Sequence, residues 1–175
     1  MTGGPFIEYH NADSTDAQLW KIILEHDQKK DLLSASSHAG DDADTDDKGV
    51  VQGHAYTILS AMKLSNGDKI VKMRNPWGVD SWHGDYSFKS NKWTDKLVAE
   101  VGGNARDEHD GFVWMTIKEY KKRFSWTTAN YNTESMTSDH FLMLNDQTKD
   151  SPGTWEGVCG SKCILHNLTV KSETA

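Results

Sequence analysis

Apolar residues recur at three- and four-residue spacing in one stretch of this chain and in short runs elsewhere. Leu19, Ile22 and Ile23, flanked by Trp20 and Leu24, form one stripe on a helix over roughly 15–28. Asp13 or Ser14 is placed to cap it. Phe6–Tyr9, after the Gly3-Gly4-Pro5 break, and Leu32–Ser36 read as short extended runs. Val50–Leu64 and Lys69–Asn75 are longer runs separated by Ser65-Asn66-Gly67-Asp68, and Asn-Gly between two such runs is a strong hairpin signal. Pro76 cannot donate to a ladder and biases Asn75 toward an extended conformation, so the second strand ends there. Gly111–Met115 is a further strand. Thr116-Ile117-Lys118-Glu119 then has the capping-box pattern of a helix from Ile117 to about Phe124, with Ile117, Tyr120 and Phe124 on one face. Trp126–Tyr131 closes the series as a strand. The expected class is α+β: an antiparallel sheet with short flanking helices and long loops.

Three regions break this pattern. His38–Lys48 carries Asp41, Asp42, Asp44, Asp46 and Asp47, which repel one another and favour a mobile surface loop. Asp42, Asp44 and Asp46 have the alternate spacing of a calcium loop, but Asp47 and Gly53 stand where such a loop requires glycine and a bidentate glutamate. Trp77–Asn104, rich in Gly, Trp and Asp, reads as a long irregular loop. After Asn132 the chain turns polar through Thr133–Ser138; Phe141–Leu144 and Cys163–Val170 then suggest two strands. The expected division is 1–132, one domain, and 133–175, a linker with the start of a β-rich domain.

The 175 residues suit one domain, or one with a fragment of another. A net charge of −7 argues against a nucleic-acid-binding surface, which requires clustered cations. No apolar run approaches the roughly 18 residues of a membrane span, and no signal peptide is evident. Two cysteines, Cys159 and Cys163, are too few for a disulfide framework, so a reduced, cytoplasmic setting is expected.

The hairpin carries the candidate chemistry. Across a two-residue loop at Asn66-Gly67, Asn75 lies opposite Ile58, Met73 opposite Ser60 and Val71 opposite Met62. Side chains alternate along a strand, so Asn75 points to the same face as His54. Four residues still separate His54 from Ile58, roughly 13 Å at the rise of a strand. A bulge or strong twist near the Asn75–Pro76 end is needed if the two side chains are to meet. If they meet, the pair has a role: a histidine base keeps one ring nitrogen free for the nucleophile, while a partner fixes its tautomer through the other. An asparagine oxygen does this without adding charge, which suits a thiolate–imidazolium pair. Trp77 is placed to cover the bond. The alternative is an ordinary hydrogen-bonded sheet histidine.

Gly53-His54-Ala55-Tyr56 followed by Met73-Arg74-Asn75-Pro76-Trp77-Gly78 resembles the second half of the calpain protease core, a papain-like cysteine protease. Met1–Gly4, Leu19–Ser36, Trp82-x-Gly84 and Asp110-Gly111-Phe112-Val113-Trp114-Met115 through Phe124 extend the resemblance over roughly 1–130. It implies a curled, papain-like barrel-type half in which His54 is the general base, Asn75 its orienter and Trp77 the shield. It also implies an upstream partner half bearing the nucleophilic cysteine and the oxyanion-stabilising glutamine, and protein substrates. Cys159 and Cys163 lie past the matched region and are not assigned as nucleophile, so this chain alone is expected to be inactive. The resemblance further implies calcium (Ca2+) in each half. The positions that would supply acidic ligands here read Ser81, Phe88, Asp110 and Phe112, and only Asp110 keeps a carboxylate; Asp80, Asp85, Asp107 and Glu108 are nearby. Weak calcium binding, or none, is expected of this half. Cys159, Cys163 and His166, with His140, have a loose zinc spacing and are otherwise ordinary thiols. Beside the base-bearing half of an endopeptidase stand two further readings: a non-catalytic calpain-like interaction module, and a calcium- or zinc-binding regulatory domain.

Overall fold

The computed structural model describes residues 5–78, 81–103, 105–106 and 111–132, with the backbone of two short segments beyond them. The chain divides into Met1–Asn132 and Thr133–Ala175. In the second unit, Met143–Leu144 and Ile164–Leu165 pair antiparallel, with Met143 opposite Leu165. The remainder of the two strands expected there, the zinc-type set (His140, Cys159, Cys163, His166) and Asp80, Asp107, Glu108 and Asp110 lie outside the described residues.

The first unit is α+β, as its pattern predicts. Strands β1 (Phe6–His10), β2 (Leu32–Ser37), β3 (Ala55–Lys63), β4 (Lys69–Arg74), β5 (Phe112–Thr116) and β6 (Phe124–Asn130) form one antiparallel sheet in the order β1-β6-β2-β3-β4-β5. The sheet is open rather than closed into a barrel. Helix α1 (Asp16–Gln28) and helix α3 (Ile117–Arg123) cover one face with Leu19, Ile23, Ile117 and Tyr120, which pack on Ile58, Met73 and their neighbours. The other face of the β3–β5 end is covered by Tyr86, Trp93 and Leu97 over Leu64, Ile70 and Trp114. Burial on both faces explains why Ile70-Val71 and Val113-Trp114-Met115 are continuous apolar runs rather than alternating ones.

Several local expectations are corrected. The cap of α1 is Thr15, not Asp13 or Ser14: its hydroxyl accepts the Gln18 N–H (3.3 Å), and Gln18 Oε1 accepts the Thr15 N–H (2.8 Å). Gln18 at the third helical position makes this pairing reciprocal, which Asp13 and Ser14 have no partner to match. At α3, Thr116 caps the Glu119 N–H, but the Glu119 carboxylate turns to Arg123 instead of closing the box. Phe124 begins β6 rather than ending the helix. The segment Trp77–Asn104 is not wholly irregular. It holds helix α2 (Asp95–Glu100), capped by Thr94; its Trp93 packs in the second core and its Trp82 in the first.

The hairpin loop has three residues, not two. Gly67 N–H donates to Leu64 O and Leu64 N–H to Asp68 O, both at 2.8 Å, with Gly67 at φ +95°. This is a type I turn closed by a left-handed glycine. The primed two-residue turn would place Asn66 at positive φ as well; instead its side chain accepts the Asp68 N–H (3.0 Å) and donates to Tyr86 Oη (2.9 Å). The acidic loop is not loose either. Asp46 Oδ1 accepts the N–H groups of Lys48 and Val50, and Asp44 O accepts that of Gln52.

Candidate active site

Two offsets of one residue each bring His54 and Asn75 together. The three-residue loop sets Ala61 opposite Val71 and Met62 opposite Ile70, one position from the two-residue register. A bulge between Ile58 and Ser60 adds the second, leaving Ile58 opposite Met73 and Thr57 opposite Arg74. Two slips preserve which face Asn75 presents. Continued one residue further, that register sets Asn75 beside Tyr56 rather than Ile58, halving its separation along the strand from His54. The irregularity expected near Asn75–Pro76 is thus real but sits in β3, with Leu59 as the extra, outward residue.

His54 Nε2 lies 3.1 Å from Asn75 Oδ1. The same oxygen accepts the Trp77 backbone N–H at 3.0 Å. A backbone N–H can only donate, so the atom facing both groups is the amide oxygen, and Nε2 must carry the proton. The neutral ring therefore presents an unprotonated Nδ1, to which no described residue is hydrogen-bonded. Asn75 is 1% exposed and Trp77 51%. The indole lies across the imidazole, with ring centroids 4.4 Å apart at 47°, so it covers the bond from one side. Tyr56 meets the imidazole edge-on at 5.2 Å.

The backbone supports both residues. Asn75 N–H donates to Gly111 O (3.0 Å), and Gly78 N–H to Asn75 O (3.0 Å), which turns the chain after Pro76. Gly111 has φ +69°, and a Cβ there would stand 2.8 Å from Gly78 Cα, so only glycine fits. Ser37 grips His54: its hydroxyl accepts the His54 N–H (2.9 Å) and donates to His54 O (3.0 Å), which also accepts the Ser37 N–H (3.0 Å). Nothing in the sequence singled out Ser37, because its partner is contacted through the backbone. Arg123 was also missed. It is 3% exposed and binds Asp46, Asp47 and Glu119.

The calcium positions divide. Asp110 is outside the described residues. Ser81 spends its hydroxyl on Gly49 O, and the Phe112 ring lies under the Lys72 ammonium at 3.9 Å. Phe88 has no side-chain oxygen. None of the described members of the set supplies a carboxylate, the side-chain ligand a calcium site draws on most.

An imidazole with a fixed tautomer and an open Nδ1 can serve chemically as a general base toward a thiol. A family model described as calpain family cysteine protease matches residues 1–129. The chain is 33% identical to human calpain-14 over 127 residues, covering 71% of this chain and 18% of that protein. It is 32% identical to the human calpain-2 catalytic subunit over 149 residues (81% and 21%) and 30% identical to a rice calpain-type cysteine protease, ADL1, over 154 residues (86% and 6%). The chain belongs to the calpain family of cysteine proteases. It spans about a fifth or less of the length of these relatives. No helix of the described residues is long and apolar enough to cross a membrane.

Proposed function

We propose that residues 1–132 are the base-bearing half of a calpain-type cysteine endopeptidase, and that 133–175 are a linker and the start of a following β-rich domain. His54 Nδ1 takes the proton of a cysteine supplied by an upstream half and later returns it to the leaving amine. Asn75 holds the tautomer that makes this possible, and Trp77 keeps water from the bond between them. The substrates are proteins, bound in a cleft shared with the upstream half, and the enzyme works in the cytoplasm. Alone, the chain cleaves nothing, because a base without its nucleophile has no covalent route. The observation carrying this reading is the 3.1 Å contact from His54 Nε2 to an oxygen already fixed by the Trp77 N–H.

The test is to join the chain to a cysteine-bearing calpain half and follow both casein cleavage and alkylation of that cysteine at mildly acidic pH. The joined protein should cleave, and His54→Ala should lose about 10²–10⁴ of the rate, the range for a positioned base. Cleavage unaffected by His54→Ala refutes the assignment. Tight assembly without cleavage or thiol activation favours the interaction-module reading.

A further inference from the structure

The acidic loop before His54 is built around a cation, and that cation belongs to the chain. Arg123 Nη1 donates to Asp46 Oδ2 and to Asp47 Oδ1, and Arg123 Nε donates to Glu119 Oε2 at 2.9 Å. The guanidinium lies over the Trp82 ring, 5.0 Å from its centroid. Burial opposes its charge, but the hydrogen bonds it donates to Asp47, Asp46 and Glu119 outweigh that and raise its pKa; the Arg123 hydrogen bond in turn holds Asp47 below the usual carboxylate range. The other Asp46 oxygen is occupied by the Lys48 and Val50 N–H groups, at 2.8 and 2.9 Å. Asp46 thus has no free edge to offer a metal, and any divalent ion nearby would meet a fixed positive charge.

From this cluster a short path of contacts reaches the candidate site. Asp46 N–H donates to Val50 O (2.8 Å), Val51 N–H donates to Tyr56 Oη (3.1 Å), and the Tyr56 ring packs edge-on against His54. A second tether leaves the same corner. His38 Nε2 donates to Lys122 O (2.8 Å), its Nδ1 accepts from Ser125 Oγ (2.7 Å), and His38 O accepts the Gly53 N–H (2.7 Å) beside His54. The segment 38–53 is therefore fastened to the junction of α3 and β6 at His38 and at Asp46 and Asp47, and its Gly53 end is held through His38.

We propose that Arg123 is a positioning residue: its guanidinium is the resident cation that holds the segment delivering His54 onto Asn75, so the pair forms without calcium. The importance of that pair rests on the proposed function, but its formation can be read without any cleavage. The experiment is imidazole ¹⁵N and backbone amide NMR on the 175-residue chain, in chelator and then in millimolar calcium, with Arg123→Lys and Arg123→Gln beside it. In the unaltered chain, the His54 Nε2 hydrogen-bond signature and the amide positions of 44–53 and 81–84 should be the same in both media. Arg123→Lys should keep the signature. Arg123→Gln should lose it and shift the amides of 44–53, while those of 69–74 and 112–116 stay in place.

Three results overturn the proposal. In one, the His54 signature vanishes in chelator and returns with calcium, so that a metal is the organising cation; this arm needs no variant to fold. In another, Arg123→Gln leaves His54 and the loop unmoved. In the third, Arg123→Gln loses the β4–β5 amides together with the loop, which gives Arg123 a role in the whole sheet rather than in placing His54. Absence of cleavage in the joined protein would count against the proposed function and leave these readings untouched.

Discussion

Replacing Ser37 by alanine is the sharpest test of how His54 is held. The Ser37 hydroxyl is the acceptor for the His54 N–H and a second donor to His54 O. Ser37→Ala leaves that N–H without a partner, a loss of about 1–3 kcal/mol for a buried donor. His54 is half-buried, which places its share near the lower end. The carbonyl keeps the Ser37 N–H, so losing the hydroxyl donor adds only about 0.5–1 kcal/mol. The expected destabilisation is about 1.5–3 kcal/mol, measured by urea unfolding followed through tryptophan fluorescence. Ser37→Thr retains the hydroxyl on a strand that tolerates β-branching and should recover most of it. Ser37 acts on the backbone of His54 and Asn75 on its ring, so the cycle with Asn75→Ala should show a coupling of at least about 0.5 kcal/mol. A Ser37→Ala chain within about 0.5 kcal/mol of the unaltered one, with additive behaviour in the cycle, would refute the clamp.

Further outcomes follow from the same geometry. Asn75→Ala strands the Trp77 N–H and frees the imidazole, so urea unfolding should register a loss of about 1–3 kcal/mol and ¹⁵N NMR a mixture of His54 tautomers. Deleting Leu59 removes the extra residue of the bulge but leaves Ile58 across from Met73, so the His54–Asn75 signature should survive, unlike the result of most deletions in a central strand. Lys30 sits at φ +61° just past α1; Lys30→Gly should stabilise by about 0.5–1 kcal/mol, visible as a higher melting temperature. Burial raises the Asp31 carboxyl, but the Asn132 N–H at 2.7 Å and the His26 ring at 2.7 Å outweigh it and leave the pKa lowered. Its contribution is therefore complete above the unfolded value of about 3.9 and is lost as pH falls through the folded one. The urea midpoint of Asp31→Asn should lie below that of the unaltered chain at neutral pH, and the two should converge in acid.

Local signals were readable where one segment decides its own structure. The α1 stripe, the turn-forming Asn66-Gly67, the stop at Pro76 and the Thr116 cap each rest on neighbours within a few positions. They were blurred where a remote partner intervened. Tyr86 took the Asn66 side chain and changed the turn, and Arg123 turned a run of repelling aspartates into an anchored loop. Helix α2 escaped notice because six residues carry little periodicity, and its single buried residue, Leu97, finds its core across the chain.

The sequence alone determined that an imidazole would stand at the start of one hairpin strand and a carboxamide at the end of the other, because turn and stop signals are strictly local. That the two share a face depended on two register offsets that cancel. Whether they touch was decided by the tertiary structure. The distance between them depends on a loop length and a bulge, each set by packing: Asn66 against Tyr86, and Tyr56 and Ile58 in the core with Leu59 outside it. Such offsets arise from the balance of distant contacts, which no spacing within a single segment records.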